Sequence, residues 1–232
     1  MHSTGVMAFC GSAVKQSGET AGFVALSDAS GRPLWLIQMN PLRPRLIIFG
    51  PNNTIWTIGE EVEGGHVTLA DHFVFRTISL DGHSVNSHTL RSALNLGMLQ
   101  LGSSSRLGMS ALVASADRVG LYIAKAHRWS EFSADGTWIG SWIIPLPTYQ
   151  NNTQTIDIPM RAVVLTRDDR VLGYFSGHSR GRGMYELSRS KATWLRRDDL
   201  DPKQVLVGIE DNQLLLESSQ DGNFVFKWYP LN

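Results

Sequence analysis

The sequence predicts an all-β fold built from a repeated four-stranded antiparallel unit, and three observations carry that reading. First, a strand, a tight polar turn and a second strand return about every fifty residues, with turns ending at Gly31, Gly82, Gly136 and Lys191 that lie 51, 54 and 55 positions apart. Second, shorter apolar strands split by Asp/Asn pairs fill the gaps between these hairpins. Third, 22 Gly and 9 Pro in 232 residues supply turns, and only Ser92–Gly102 reads ambiguously between helix and strand. A fixed period of this size marks a radial or stacked repeat architecture.

The recurring hairpins run Phe23 to Gly31 before Trp35, Phe73 to Gly82, Trp129 to Gly136 before Trp138, and Met184 to Lys191 before Trp194. The second set comprises Arg45–Phe49 and Thr54–Ile58 around Asn52-Asn53, Ala111–Ser115 and Val119–Ile123 around Asp117-Arg118, Ala162–Leu165 and Val171–Phe175 around Asp168-Asp169, and Val205–Ile209 and Gln213–Leu216 around Asp211-Asn212. Short β-branched, Leu and aromatic runs divided by such pairs are strands joined by tight turns. Each repeat therefore has strands a to d. Strand a is the most continuously apolar, as a strand buried on both faces should be, while strand c alternates. Four-stranded units of this kind are the blades of a β-propeller. A β-sandwich with an appendage and a stacked solenoid are the competing architectures.

In this frame blades occupy about 45–90, 108–144 and 160–197, with partial blades at about 5–40 (b, c, d) and 205–229 (a, b, c), all within one domain spanning 1–232. Because the two ends overlap in strands b and c, the count is nearer five than four. Being short of six, it also suits a fragment of a six-bladed ring lacking its N-terminal portion and a leader peptide. Under that reading a periplasmic or secreted location is favoured.

Composition narrows the function classes. Lys+Arg and Asp+Glu balance at 21 each, so no overall field draws the chain to nucleic acid or anionic membrane. No apolar run approaches the roughly 18 residues of a membrane span. The lone Cys10 cannot close an intrachain disulfide and leaves the compartment open. Asn52-Asn-Thr54 and Asn151-Asn-Thr153 match glycosylation acceptors but read as turns.

Antiparallel order puts the a–b and c–d turns on one rim, and the b–c and d–a connections on the other. The long connections Glu60–Asp71, Arg91–Leu107, Pro145–Pro159, Ser176–Gly183 and Asp198–Lys203 all belong to the second set. Long loops on a rigid scaffold carry binding residues, so a ligand is expected on that rim. Within the Ser176–Gly183 loop, Gly177-His-Ser-Arg-Gly181 matches the G-x-S-x-G elbow, but no His follows His178 and a strand, not a helix, comes next. Arg180 and Arg182 can grip a carboxylate or phosphate through their planar forks. Residues 161–197 hold nine Lys/Arg against three Asp/Glu, partly offset by Asp198, Asp199 and Asp201. The ligand-binding candidates are thus His178, Arg180, Arg182 and His127, with an unidentified protein or small molecule as partner and no cofactor.

The alternative is a metal-dependent hydrolase or lactonase with a divalent cation at the channel mouth. Glu60, Glu61, Glu63, His66, Asp71 and His72 crowd one loop, and hard cations take such oxygen ligands. Glu60 and Asp71 are its metal candidates. His83 and His88, five apart on one strand, are expected on opposite faces. No catalytic set accompanies any of these residues, which favours a non-enzymatic module.

The segment Gly120-Leu-Tyr-Ile-Ala-Lys-Ala-His-Arg-Trp-Ser-Glu-Phe-Ser-Ala-Asp-Gly136 resembles a blade of the NHL-repeat and related six-bladed bacterial propellers, in its strand b, short polar loop with Arg, strand c and Asp-Gly. Thr54-Ile-Trp-Thr-Ile-Gly59 is similar to a strand of sensor and lyase propellers. The resemblance implies the propeller fold. The other blades lack the family's Asn-His-Arg loop, and one such fold hosts many functions.

Overall fold

The computed structural model describes residues 4–14, 16, 18–63, 66–68, 70–94, 110–150, 155–166, 168, 170–175, 183–195, 204–210 and 213–230. Among these the chain forms five antiparallel blade sheets of a β-propeller. Blade I has β1 (Met7–Val14), β2 (Thr20–Ser27) and β3 (Pro33–Gln38). Blade II has β4 (Leu42–Gly50), β5 (Thr54–Glu63), a two-residue β6 (His66–Val67), β7 (Phe73–Ser79) and β8 (Val85–Leu90). Blade III runs through β9 (Ala111–Ala114), β10 (Arg118–Ile123), β11 (Arg128–Ser133) and β12 (Trp138–Ile143). A small hairpin, β13 (Thr148–Gln150) and β14 (Thr155–Asp157), precedes blade IV. Blade IV contains β15 (Met160–Leu165), β16 (Val171–Phe175), β17 (Gly183–Leu187) and β18 (Ala192–Leu195). Blade V contains β19 (Val205–Glu210), β20 (Gln213–Gln220) and β21 (Asn223–Pro230).

The strand letters follow directly. Blades II to IV carry a to d, blade I carries b, c and d, and blade V carries a, b and c. The chain divides into two compact units. The first holds residues 1–102, 116–120 and 130–140, and the second holds 103–115, 121–129 and 141–232, so the dividing line passes through the strands of blade III.

Local chemistry explains the turns. Between a and b of blade II, Asn52 and Asn53 take left-handed backbones at φ 58° and 53°, which Asn tolerates better than most residues. At the c–d turns, Ser79 and Ser133 hydroxyls donate to Asp81 and Asp135, which accept in turn from the backbone N–H of His83 and Thr137. The serine hydroxyls hold both carboxyls below the ordinary aspartate range. Pro44 interrupts β4 without ending it, because the register with β5 shifts between Pro44 and Leu46 and a bulge excuses the missing N–H.

A second repeat joins neighbouring blades. In each of three cases an aromatic ring on strand d lies on the c–d turn of the next blade. Trp35 covers Gly82, where a Cβ would come within 3.0 Å of the indole, and donates from Nε1 to the Leu80 carbonyl at 2.9 Å. His88 covers Gly136. In the second unit, Arg189 stacks over the Trp142 ring at 5.6 Å. Gly82 and Gly136 sit at φ +77° and +90°, so these turns need glycine for both backbone freedom and room.

The core of the first unit includes an aromatic cluster linking blades II and III. Trp56, Phe75 and Phe132 are fully buried, with Phe75 and Phe132 centroids 4.8 Å apart. His88 completes it, 4.9 Å from Trp56 edge-on and parallel to Phe75 at 5.7 Å. Both of its ring nitrogens are buried without a hydrogen-bond partner among the described residues. His83 lies in the preceding turn beside Asp81 rather than on the strand expected from sequence.

Burial lowers the His88 pKa from its usual value, Arg76 adds to that shift, and Asp135 opposes it. The folded protein therefore holds the ring neutral. A base whose folded pKa lies below its unfolded one contributes stability above the unfolded pKa, about 6.5, and loses it as pH falls toward the folded value. His88→Phe keeps the stacking and removes the proton, so its urea midpoint should decline less than wild type between about pH 7 and pH 5. Equal slopes for the two proteins would show that His88 does not titrate on unfolding.

Candidate functional site

The rim that carries the b–c and d–a connections of the first unit holds a polar pocket of about 550 Å³, lined by Gly18, Glu19, Thr20, Asn40, Pro41, Arg43 and Val62. Its walls come from the b–c turn of blade I, the d–a connection into β4, and the far end of β5. Two glycines make this convergence possible. A Cβ on Gly22 would lie 2.0 Å from the Leu42 carbonyl oxygen, and one on Gly59 would lie 2.2 Å from that of Arg43. The backbones of β2 and β5 therefore press directly on the start of β4.

Asn40 locks the arrangement. Its Oδ1 accepts from the Gly22 N–H at 3.0 Å, its Nδ2 donates to Glu19 at 3.4 Å, and the Met39 N–H donates to the Gly22 carbonyl at 2.8 Å. Asn40 is thus one of the partners that hold Glu19 in place. The Arg43 side chain has no hydrogen-bond or ion-pair partner among the described residues. Arg43, Glu19, Asn40 and Thr20 thus line one cavity, a set of residue types suited to a ligand bearing an acidic group.

The acidic loop folds differently from the open segment expected. Strand β5 continues to Glu63 and pairs back with β6, Val62 opposite Val67 and Glu63 opposite His66. Glu61 reaches Arg76 at 3.4 Å and Glu60 reaches Arg45 at 3.9 Å. Burial pushes the half-buried Glu60 carboxyl up, while Arg45 pulls it back. Asp71 accepts from the Ser92 backbone N–H at 2.9 Å and hydroxyl at 2.6 Å, and the hydroxyl bond holds its carboxyl below the usual range. His72 is buried and donates from Nδ1 to the Ala70 carbonyl at 2.9 Å, leaving Nε2 to accept from the Glu61 N–H at 3.4 Å. The candidate ligands are held by these separate partners. No group of three His, Cys, Asp or Glu is placed to hold a metal ion among the described residues.

His127 belongs to the second unit, where it closes a one-turn 3-10 segment (Ala124–Ala126) in a left-handed backbone at φ 47°. Its Nδ1 lies 3.4 Å from the Tyr122 hydroxyl, and its carbonyl accepts from the Ile144 N–H at 2.7 Å. Burial lowers its pKa and Asp157 opposes the shift. The b–c connection of blade III is therefore short. So is that of blade V, where Asp221 and Gly222 form a two-residue hairpin with both φ positive. Long b–c loops are thus not general in this chain, because a two-residue I′ turn matches strand twist as well as any long connection. His178, Arg180 and Arg182 lie outside the described residues. No helix among the described residues is long and apolar enough to cross a membrane.

Repeated antiparallel four-stranded blades define the chain as a protein of the β-propeller class. No protein-family model matches it, and no curated protein does. Among solved structures it is similar to the β-propeller domain of the trilobed protease from Pyrococcus furiosus, at 8% identity and TM-score 0.52, covering 97% of this chain and 79% of that one. It also aligns with the Pyrococcus horikoshii acylaminoacyl peptidase at 8% identity and TM-score 0.49, where 97% of this chain covers 43% of the peptidase's length. At these identities the likeness concerns the fold. The blade count is five rather than six.

Proposed function

We propose that this chain is a non-enzymatic binding module whose connection rim takes a ligand bearing a carboxylate, with Arg43 as the anchor. The observation that carries the proposal is the Arg43 guanidinium facing a pocket beside Glu19, Thr20 and Asn40 without an ion-pair partner among the described residues. Arg offers a planar fork that matches a carboxylate, and the Asn40 carboxamide and Thr20 hydroxyl beside it can hydrogen-bond further polar groups of the ligand. A peptide terminus or an amino-acid-like small molecule meets both demands. Arg180, Arg182 and His178, in the segment joining b to c of blade IV, are carried as further contacts of the same kind, and alanine replacement of the two arginines tests them.

The test is an amide-shift titration with N-acetylated dipeptides that end either in a free carboxylate or in an amide. The free acids should move the Thr20, Asn40 and Val62 signals saturably, and Arg43→Gln should weaken that response about tenfold, the range of one lost charge-assisted contact. Equal responses to acid and amide, or an unchanged response in Arg43→Gln, would overturn the assignment.

A further inference from the structure

Strand d of blade II is fastened by a titratable ring where its counterpart in blade I is fastened by a tryptophan. Trp35 on β3 lies on the Gly82 turn and satisfies its one polar atom, with Nε1 donating to the Leu80 carbonyl at 2.9 Å. Nothing in that contact titrates. His88 on β8 covers the corresponding Gly136 turn, where a Cβ would lie 2.7 Å from Nδ1, yet neither ring nitrogen has a hydrogen-bond partner among the described residues. Trp56 of β5 meets the ring edge-on, and Phe75 of β7 lies parallel to it.

These surroundings suit only the neutral ring. A protonated imidazole carries two N–H donors, and a buried charge without an acceptor is far costlier than a buried neutral group. Burial first, and then the Arg76 charge on β7, press the ring toward its neutral form, while Asp135 in the Gly136 turn opposes them. Asp135 is already engaged, because its Oδ1 accepts from the Ser133 hydroxyl and the Thr137 N–H. Arg76 is fixed by the Phe73 and Phe75 carbonyls at 2.7 and 3.0 Å and by Glu61 at 3.4 Å. From β5 the uncharged Trp56 faces the ring, and Glu131 of β11 is paired with Arg118 at 3.7 Å.

The next residue is strained. Thr89 has φ 63°, a left-handed backbone that is an outlier for a β-branched residue. The β7–β8 ladder pairs Leu90 with Phe73 and His88 with Phe75, and it passes over Thr89 between them. Every residue of β8 other than His88 and Thr89 is exposed, so the seated imidazole is what holds the inward side of the strand. Such strain persists only where surrounding contacts over-determine it.

We propose that His88 is an acid-released latch: protonation unseats its ring from the aromatic cluster of blade II, lets Thr89 relax to an ordinary strand backbone, and frees β8 together with the Gly136 turn. Released, the ring is solvated and titrates near 6.5; seated, it titrates lower. Acid therefore favours release, and the opening equilibrium approaches a tenfold rise for each pH unit below about 6.5 until the seated ring itself titrates. The Trp35 latch of blade I has no such response. Neither latch involves Arg43 or the rim pocket.

The test is amide exchange of the full chain at about pH 7 and about pH 5.5, corrected for the intrinsic exchange rate at each pH. Protection across residues 85–90 and 133–137 should fall about fivefold on acidification, while that of residues 33–38 in β3 stays constant. His88→Phe keeps the stacking and should abolish the acid response. Thr89→Asn places a residue that tolerates left-handed backbone at the strained position, so protection of β8 should rise about threefold at both pH values with the acid response intact. An equal fall in β3, or an acid response that survives in His88→Phe, overturns the latch. If His88→Phe does not fold, the comparison of β8 with β3 in the wild-type protein still decides, and lower protection of β8 in Thr89→Asn than in wild type overturns the role of the strain.

Discussion

Replacing Trp56 with alanine lowers the free energy of unfolding by about 3–5 kcal/mol, the range for a buried Trp or Phe truncated in a close-packed core. The side chain is fully buried and touches the cluster on three sides, with ring centroids 5.8 Å from Phe75, 6.5 Å from Phe132 and 4.9 Å from His88. Its fourth side lies on Gly50, where a Cβ would approach the indole to 2.3 Å. Its Nε1 donates to the Thr54 hydroxyl at 3.0 Å, and that hydroxyl donates to the Pro51 carbonyl at 2.6 Å, so one ring ties the a–b turn of blade II to the core. Alanine removes the ring and leaves a cavity whose walls are strands of two blades, which cannot close over it. The measurement is urea unfolding followed by far-ultraviolet dichroism. Trp138→Ala is the comparison, because that ring is 47% exposed and its loss should cost under about 1 kcal/mol. Similar midpoints for the two variants would mean that Trp56 is not in the core.

The repeat was legible because its turns are chemically demanding. A c–d turn that needs positive φ at its fourth residue must use glycine, and Gly31, Gly82 and Gly136 all adopt it. Turn spacing therefore located the blades within a few residues, and the incomplete outer blades were readable from the order of apolar runs. Strand ends were less visible. β5 continues through Glu60 and Glu61 because Arg45 and Arg76 lie close enough to pair with them, and that pairing is remote in sequence. The same limit hid the rim pocket, whose walls come from residues 18–20, 40–43 and 62. Its one local signal was glycine inside strands, at Gly22 and Gly59, where a missing side chain marks a close backbone approach. The Arg180 segment stands out in sequence through its G-x-S-x-G match, its two arginine forks and the local excess of positive charge, features that are local in the chain and say nothing of what lies opposite them in space.

Gly22→Ala is the second change expected to have a large effect, about 3 kcal/mol, the upper part of the range for overpacking a site that cannot relax. A Cβ there would meet the Leu42 carbonyl oxygen at 2.0 Å, Pro44 Cδ at 2.9 Å and Arg43 Cα at 3.1 Å. Two of these three atoms belong to the backbone and the third to a proline ring, so no side chain can swing aside. Relief requires β2 to move away from β4, which stretches the Gly22 N–H bond to Asn40 and the Met39 N–H bond to the Gly22 carbonyl. The pocket should then lose its shape together with the stability, and binding that depends on Arg43 should fall even at temperatures where the variant remains folded. Gly11→Ala provides the contrast, since its Cβ would meet only the Phe23 ring, at 3.3 Å. That ring can shift by a few tenths of an ångström, and the lost flexibility of the unfolded chain offsets the contact. The Gly11 variant should unfold within about 0.5 kcal/mol of wild type. A Gly22 variant equally close to wild type would show that β2 and the start of β4 do not cross in contact, and the proposed pocket would lose its frame.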